Sequence, residues 1–424
     1  MGPLELNPKI LNLKESSTLW INNKVKEMRT NGAQITHFGF GQSPFPIHSK
    51  IVEKLKKHAA EKDYLPTLGL KELRETISLY CKRKFDYQFD PSQIIIGPGS
   101  KELLFQALYA LEGTVIIPAP SWVSYGPQVN IRGKHISRIK THMENGYKLD
   151  PKDLDQVCES LTSNQKVLII NTPNNPTGAV YHDQEIQAIV KVCKKHNVIV
   201  FSDEIYAEVN FKGDKPKGFY HYYPERTLVT GGMSKAHSAG GYRLGFMATS
   251  SEMNELVKIM ASLISETYSA VTAPIQYAAV TAYTPDNDID NYLKLCCEIH
   301  SHVSNYIFKR FTDINLLLPK PEGAFYLFPS FKNYESFLKE KYDIQNSKQL
   351  AIKLLEIAKV AVLPGSDFYC PPEWLTCRVA SVDYDGANAY KALEMGEKLD
   401  DFFIERYCPN IAKGCNQIQS FLRP

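Results

Sequence analysis

Short apolar runs recur along the chain, separated by stretches in which apolar residues return at helical spacing. The runs cover residues 93–96, 114–117, 166–170, 197–201, 227–229 and 244–248. Their length and Val/Ile content predict strands covered on both faces. Between them, Leu103, Leu104, Ala107, Leu108 and Leu111 fall on one helical face, as do Ile186, Ile189, Val190 and Cys193. Strand–helix alternation of this kind predicts an α/β fold, a mostly parallel sheet flanked by helices. Ligands of such sheets bind outside the carboxyl ends of the strands. The alternation fades at Pro285-Asp286-Asn287-Asp288, a turn-rich break before a helical segment at 292–311. A smaller unit follows, with strands expected at 323–328 and 359–363. The chain has no internal repeat, and its tail, 402–424, has weak periodicity and no functional reading.

At 424 residues the chain exceeds one small core, so two domains are expected. Lys and Arg number 49 against 46 Asp and Glu, a net charge of +3 that calls for neither nucleic acid nor an anionic membrane. The nine cysteines form no CxxC pair and no metal-ligand spacing. An odd number in a chain this long predicts reduced thiols, no bound metal and a cytoplasmic location. The opening Met1-Gly2-Pro3-Leu4-Glu5-Leu6 has no basic–apolar leader and no acylation pattern. No apolar run approaches the roughly 20 residues of a membrane span.

Candidate chemistry gathers at the ends of the apolar runs. An Asn174-Asn175-Pro176-Thr177-Gly178 loop, a Ser202-Asp203-Glu204-Ile205-Tyr206 segment, Lys235 and Arg243 follow one another. An isolated lysine is ordinarily a solvated surface charge. In this order, an amide, a carboxylate, a phenol, an amine and a guanidinium are what a site holding pyridoxal phosphate through an imine requires. Asp203 ends the run 198–202, where a buried carboxylate is costly without a positive partner. A protonated pyridine nitrogen is one such partner; a helix cap is the alternative use of this aspartate. Tyr206 and Asn175 are placed to hydrogen-bond the cofactor's phenolic oxygen, although Asn-Pro is otherwise turn chemistry. Gly97-Pro98-Gly99-Ser100-Lys101 leads from a strand into a helix, a ready anion site in which Gly99, Ser100 and Lys101 would meet a phosphate. Arg243 supplies a fork for the same phosphate and Ser234 a hydroxyl.

These motifs, with Asn-Thr-Pro-Asn-Asn-Pro-Thr-Gly-Ala-Val-Tyr at 171–181, resemble the class I/II aminotransferases of the aspartate aminotransferase fold. The resemblance runs from about residue 13 to about residue 384. It implies a seven-stranded large domain at 51–290 and a smaller α+β domain built from 1–50 and 291–424. It makes Lys235, Asp203 and Tyr206 the catalytic residues and sets Trp122 flat against the pyridine ring. Arg378 and Gly41, with Asn175, would hold the substrate carboxylate. Tyr64 would reach the phosphate of a second subunit, making a homodimer with shared sites. One departure stands out: the family often has Ser three residues before the lysine, and here that residue is Gly232.

The implied reaction moves an amino group from an L-amino acid to a 2-oxo acid through the Lys235 imine and pyridoxamine phosphate. A carbon–sulfur β-lyase on the same fold would use the same core residues and is the alternative. The segment where animal-type relatives place a distal-carboxylate arginine reads Ser265-Glu266-Thr267-Tyr268-Ser269-Ala270-Val271-Thr272, without one. Tyr268 and Trp20 offer apolar surface instead, so a neutral or aromatic amino acid is expected to compete at least equally with aspartate.

Overall fold

The structure, a computed structural model, describes residues 4–423 apart from 9, 12, 14 and 214–216. Met1 to Pro3 of the N-terminal reading and Pro424 of the tail lie outside the described residues. After β1 (Thr36–His37), seven strands build the main sheet: β2 (Ile94–Gly97), β3 (Thr114–Ala119), β4 (Ile136–Lys140), β5 (Lys166–Asn171), β6 (Ile199–Asp203), β7 (Thr227–Gly232) and β8 (Gly245–Ala248). Their order is β2-β8-β7-β6-β5-β3-β4. Only β8 runs antiparallel to its neighbours; the other pairs are parallel. The fold is the α/β architecture that the alternation predicts, with the seven strands that the resemblance implied.

Each run is continuously apolar because its residues alternate between two covered faces. Val115, Ile117, Val167, Ile169, Ile199 and Phe201 pack beneath the helices Ser100–Ala110 and Asn254–Ser265. Ile116, Leu168, Ile170 and Val200 pack beneath Pro151–Ser160 and Asp183–Lys195. Burying a side chain of this size stabilises by about 1.5–3 kcal/mol. The pattern missed β4, an edge strand bonded only to β3, in which Ile139 alone is buried. The expected strand at 197–201 begins at Ile199 instead, because Asn197 takes a left-handed φ of 52°.

The helix Asn287–Thr312 begins five residues before its expected start, where the Asp286 carboxylate accepts from the N–H groups of Asp288 and Ile289. Beyond it lie β9 (Tyr326–Leu327), β10 (Val360–Ala361), β11 (Leu363–Pro364) and β12 (Cys377–Ala380). The sheet β11-β12-β9 is antiparallel, while β1 pairs in parallel with β10. Residues 36–39 therefore lie beside the C-terminal strands, with Ala380 N–H donating to Phe38 O at 2.8 Å. The tail, in which the sequence showed little periodicity, forms the helices Asp401–Tyr407 and Pro409–Phe421. Ile411, Cys415, Ile418 and Phe421 bury one face of the second. No helix among the described residues is long and apolar enough to cross a membrane.

Candidate active site

The carboxyl ends of β2, β3, β5, β6 and β7 meet along one edge of the sheet. Beyond it opens a cavity of about 370 Å³, of a size that suits a cofactor with a small substrate. Lining it are Gly99, Ser100 and Lys101 after β2, Trp122 after β3, Asn175 after β5, Asp203 and Tyr206 at β6, and Ser234 and Lys235 after β7. Because β8 is antiparallel, its start lies at this same edge, which brings in Arg243. Arg378 from β12 and Gly41 from the N-terminal segment close the far side. Thirteen residues were named from sequence for this site; twelve line one cavity. The exception is Tyr64, which is 95% exposed on the surface of the chain.

Asp203 sits at the cavity floor, 3% exposed, and accepts from Tyr125 Oη at 2.6 Å and Thr230 Oγ1 at 3.1 Å. Burial pushes its carboxyl above the usual carboxylate range, against the pull of those donors and of Lys235. Arg378 is the mirror case, a guanidinium 1% exposed that donates to Gly39 O at 2.6 Å and to Asn175 Oδ1 at 3.3 Å. Its Nε has no partner, no carboxylate pairs with it among the described residues, and burial lowers its pKa. The cavity thus holds a buried anion and a buried cation, each without an opposite charge bonded to it. Such charges are costly until a ligand completes them.

The lysine turn is held from several sides. Lys235 Nζ donates to Gly41 O at 2.8 Å, and Ser238 N–H donates back to Lys235 O at 3.1 Å. Ser238, at φ 57°, has its hydroxyl 2.7 Å from that of Ser43 and receives a bond from Tyr292 Oη at 3.0 Å. A Cβ on Gly41 would strike the Tyr326 ring, 2.6 Å from Cε1. Tyr206 Oη lies 2.8 Å from Tyr326 Oη, and its burial, with that neighbour, raises the phenol's pKa well above the ordinary value.

The residues present fit pyridoxal phosphate. Lys235 offers an amine inside the cavity, and buried Asp203 lacks the cation that a protonated ring nitrogen supplies. At the rim, the helix Ser100–Ala110 starts at Gly99 (φ 90°) with no side-chain cap, leaving its first N–H groups for an anion. At φ 90° a side chain at position 99 would be strained, and its Cβ, 2.5 Å from Arg243 Nη2, would displace the guanidinium from the helix start. Gly232 has a backbone reason: a Cβ there would lie 2.9 Å from Gly245 Cα across the β7–β8 ladder.

Tyr125, Thr230 and Tyr326 escaped the sequence reading. Tyr125 had a weak signal, three residues after Trp122. Thr230 and Tyr326 lie inside strands, where period-2 alternation does not distinguish a site-facing hydroxyl from a core position. Lys101 also carries more than expected. Its Nζ lies 4.9 Å over the Trp122 ring and forms no ion pair among the described residues. Desolvation first, then Arg243 and Lys235, lower its pKa.

Comparison with known proteins gives this geometry a family. Residues 33–387 match the model for aminotransferase class I and II. The chain belongs to that family. It is 33% identical to the aspartate aminotransferase of Bacillus subtilis (strain 168), over 90% of this chain and 96% of that protein. It is also 33% identical to a probable aspartate/prephenate aminotransferase of Aquifex aeolicus, over 86% of this chain and 92% of that one. Among solved structures, the aspartate aminotransferase of Thermus thermophilus with maleate superposes with a TM-score of 0.85 at 25% identity, covering 99% of this chain and 100% of that chain. An aromatic aminotransferase from Pyrococcus horikoshii gives a TM-score of 0.78 at 25% identity, over 95% of this chain and 98% of that chain. The protein is therefore a pyridoxal-phosphate-dependent aminotransferase. The relatives named here are all aminotransferases, which disfavours the lyase alternative.

Proposed function

We propose that this class I and II aminotransferase acts on a dicarboxylic amino acid of the aspartate type, with Lys235 as its catalytic amine. The observation that carries the substrate class is Lys101, an amine that lines the same cavity as Arg378 and, like it, has no acidic partner among the described residues. With Lys235 assigned to the cofactor carbonyl and Arg243 to its phosphate, Lys101 and Arg378 remain for a substrate with two carboxylates, each charge-assisted contact contributing roughly 1.5–3 kcal/mol. This moves Lys101 from the phosphate to the substrate side chain and revises the expectation of equal competition from neutral amino acids. In support, neither Trp20 nor Tyr268 lines the cavity within one chain, and several relatives are named for aspartate.

Pyridoxal phosphate, when bound, supplies the carbonyl that takes up the amino group and the ring that accepts electrons released at Cα. In this reading Lys235 would hold that carbonyl, give it up to the substrate amine and carry the proton lost from Cα. Asp203 would keep a proton on the ring nitrogen. Tyr206 and Asn175 would donate to the phenolic oxygen, and Trp122 would pack against the ring. Gly99, Ser100, Ser234 and Arg243 cradle the phosphate, with no side chain from Gly232 to help. Arg378, with Gly41 and Asn175, would grip the α-carboxylate and so fix the orientation of the Cα–H bond.

A homodimer belongs to the same proposal, since exposed Tyr64 lies outside its own chain's cavity and would serve a partner's phosphate. So do the division at about residues 51 and 290 and a cytoplasmic location, the latter supported by nine cysteines without a disulfide and checked by cell fractionation. An aromatic substrate is the second reading, favoured by Leu19, Phe40 and Trp122 in the cavity wall. Measured kcat/KM for aspartate, glutamate, alanine, methionine and phenylalanine separates the two. Aspartate should exceed alanine and methionine by about ten- to a hundredfold, and Lys101→Ala should erase that margin. Phenylalanine at or above aspartate would establish the second reading in its place.

A further inference from the structure

Behind the lysine turn lies a second, much smaller cavity, of about 30 Å³, which the assigned chemistry does not use. Glu204, Thr230, His237 and Tyr283 contribute to its lining. His237, two residues beyond Lys235, is 1% exposed, and neither of its ring nitrogens has a partner. Tyr283 Oη is likewise buried without a partner, and the two rings meet edge to face at 5.5 Å. Thr230 lines this cavity while its hydroxyl donates to Asp203 at 3.1 Å. Glu204, the next residue, accepts from Ser202 Oγ at 2.7 Å and from Tyr87 Oη at 3.1 Å.

Each buried polar atom without a partner costs about 1–3 kcal/mol. Three such atoms around one pocket are tolerated when a molecule with donors and acceptors fills it. A cavity of this size admits one or two waters, and a buried water needs about two to four polar partners, which these side chains supply. Burial holds the imidazole neutral, its pKa lowered to about 4. It therefore offers one donor and one acceptor, a match for water and not for an ion.

We propose that this pocket is an internal water site, and that through it His237 acts as a positioning residue for Lys235. The backbone supports the link. Ser238 N–H bonds Lys235 O at 3.1 Å and Ala239 N–H bonds Met233 O at 3.0 Å, so His237 lies within the turn that presents the amine. Water bonded to the ring anchors that turn to the wall containing Thr230 and Glu204, directly behind Asp203.

The inference rests on Lys235 being the cofactor lysine, as proposed above, and one crystal structure of the holoenzyme distinguishes the two ideas. Ordered water within hydrogen-bond distance of a His237 nitrogen and Tyr283 Oη is expected. A dry pocket with the cofactor bonded to Lys235 overturns the water site alone, whereas a cofactor on another lysine overturns both. Kinetics then test the positioning role. His237→Phe keeps the ring shape but neither nitrogen, and should lower kcat about tenfold while KM and Tm stay close to wild type. His237→Gln, which restores a donor and an acceptor, should recover most of that loss. An unchanged kcat in His237→Phe, or a loss that His237→Gln does not recover, overturns the role; if His237→Phe does not fold, the crystal structure and the kcat of His237→Gln still decide.

Discussion

Asp203 and Glu204 are adjacent, and both are buried carboxyls, yet their surroundings give them opposite assignments. Asp203 opens onto the cavity beside Lys235, where a cation completes it. Glu204 faces phenols, a thiol and Glu208 on the other side of the strand end, and burial raises its pKa to about 7. The folded chain therefore keeps a proton on Glu204 that the unfolded chain releases near pH 4.5. Stability from this group is fully present below that value and declines as pH rises to about 7, on the order of 3 kcal/mol in all. His237 runs the other way, losing stability as pH falls from 6.5 towards about 4. The clean test is a difference: the unfolding free energy of Glu204→Gln minus that of wild type should climb between pH 5 and 8. A flat difference would mean that Glu204 is not held protonated. From sequence, Asp203 was legible because a charged residue ended an apolar run. The protonated character of Glu204 was not, because it comes from burial, which segments distant in the chain impose against the pull of the Ser202 and Tyr87 hydroxyls.

At the scale of the element, the location of the site followed from parallel strands whose ends converge. The sequence pattern identified six of the seven strands because they are buried on both faces. It missed β4, where one neighbour and partial exposure remove the apolar run. It also could not show that β8 runs backwards, the fact that brings Arg243 to the shared edge. The glycine at 232 reads as a lost phosphate contact in the sequence and as a packing requirement in the structure. Restoring the hydroxyl by Gly232→Ser should therefore destabilise the protein by about 1–3 kcal/mol, through the forced separation of β7 and β8. Urea denaturation of the variant checks this; wild-type stability with tighter cofactor binding would show that the ladder accommodates the side chain.

Across the whole molecule, the site is assembled from segments hundreds of residues apart: Gly41 near one end, Arg378 near the other, and the sheet edge between. Tyr64 alone stands outside it, so a second copy of the chain is proposed to complete the phosphate cradle. Mixing Lys235→Ala with Tyr64→Phe should form hybrid dimers with one site free of both lesions, so activity should exceed the mean of the two separate samples. Full activity in a dilute, demonstrably monomeric wild-type sample would contradict the shared site. The central claim is that this fold delivers one lysine of many to pyridoxal phosphate, and borohydride reduction of the holoenzyme followed by peptide mapping tests it most directly. The pyridoxyl label is predicted on Lys235; a label on any other lysine contradicts the account.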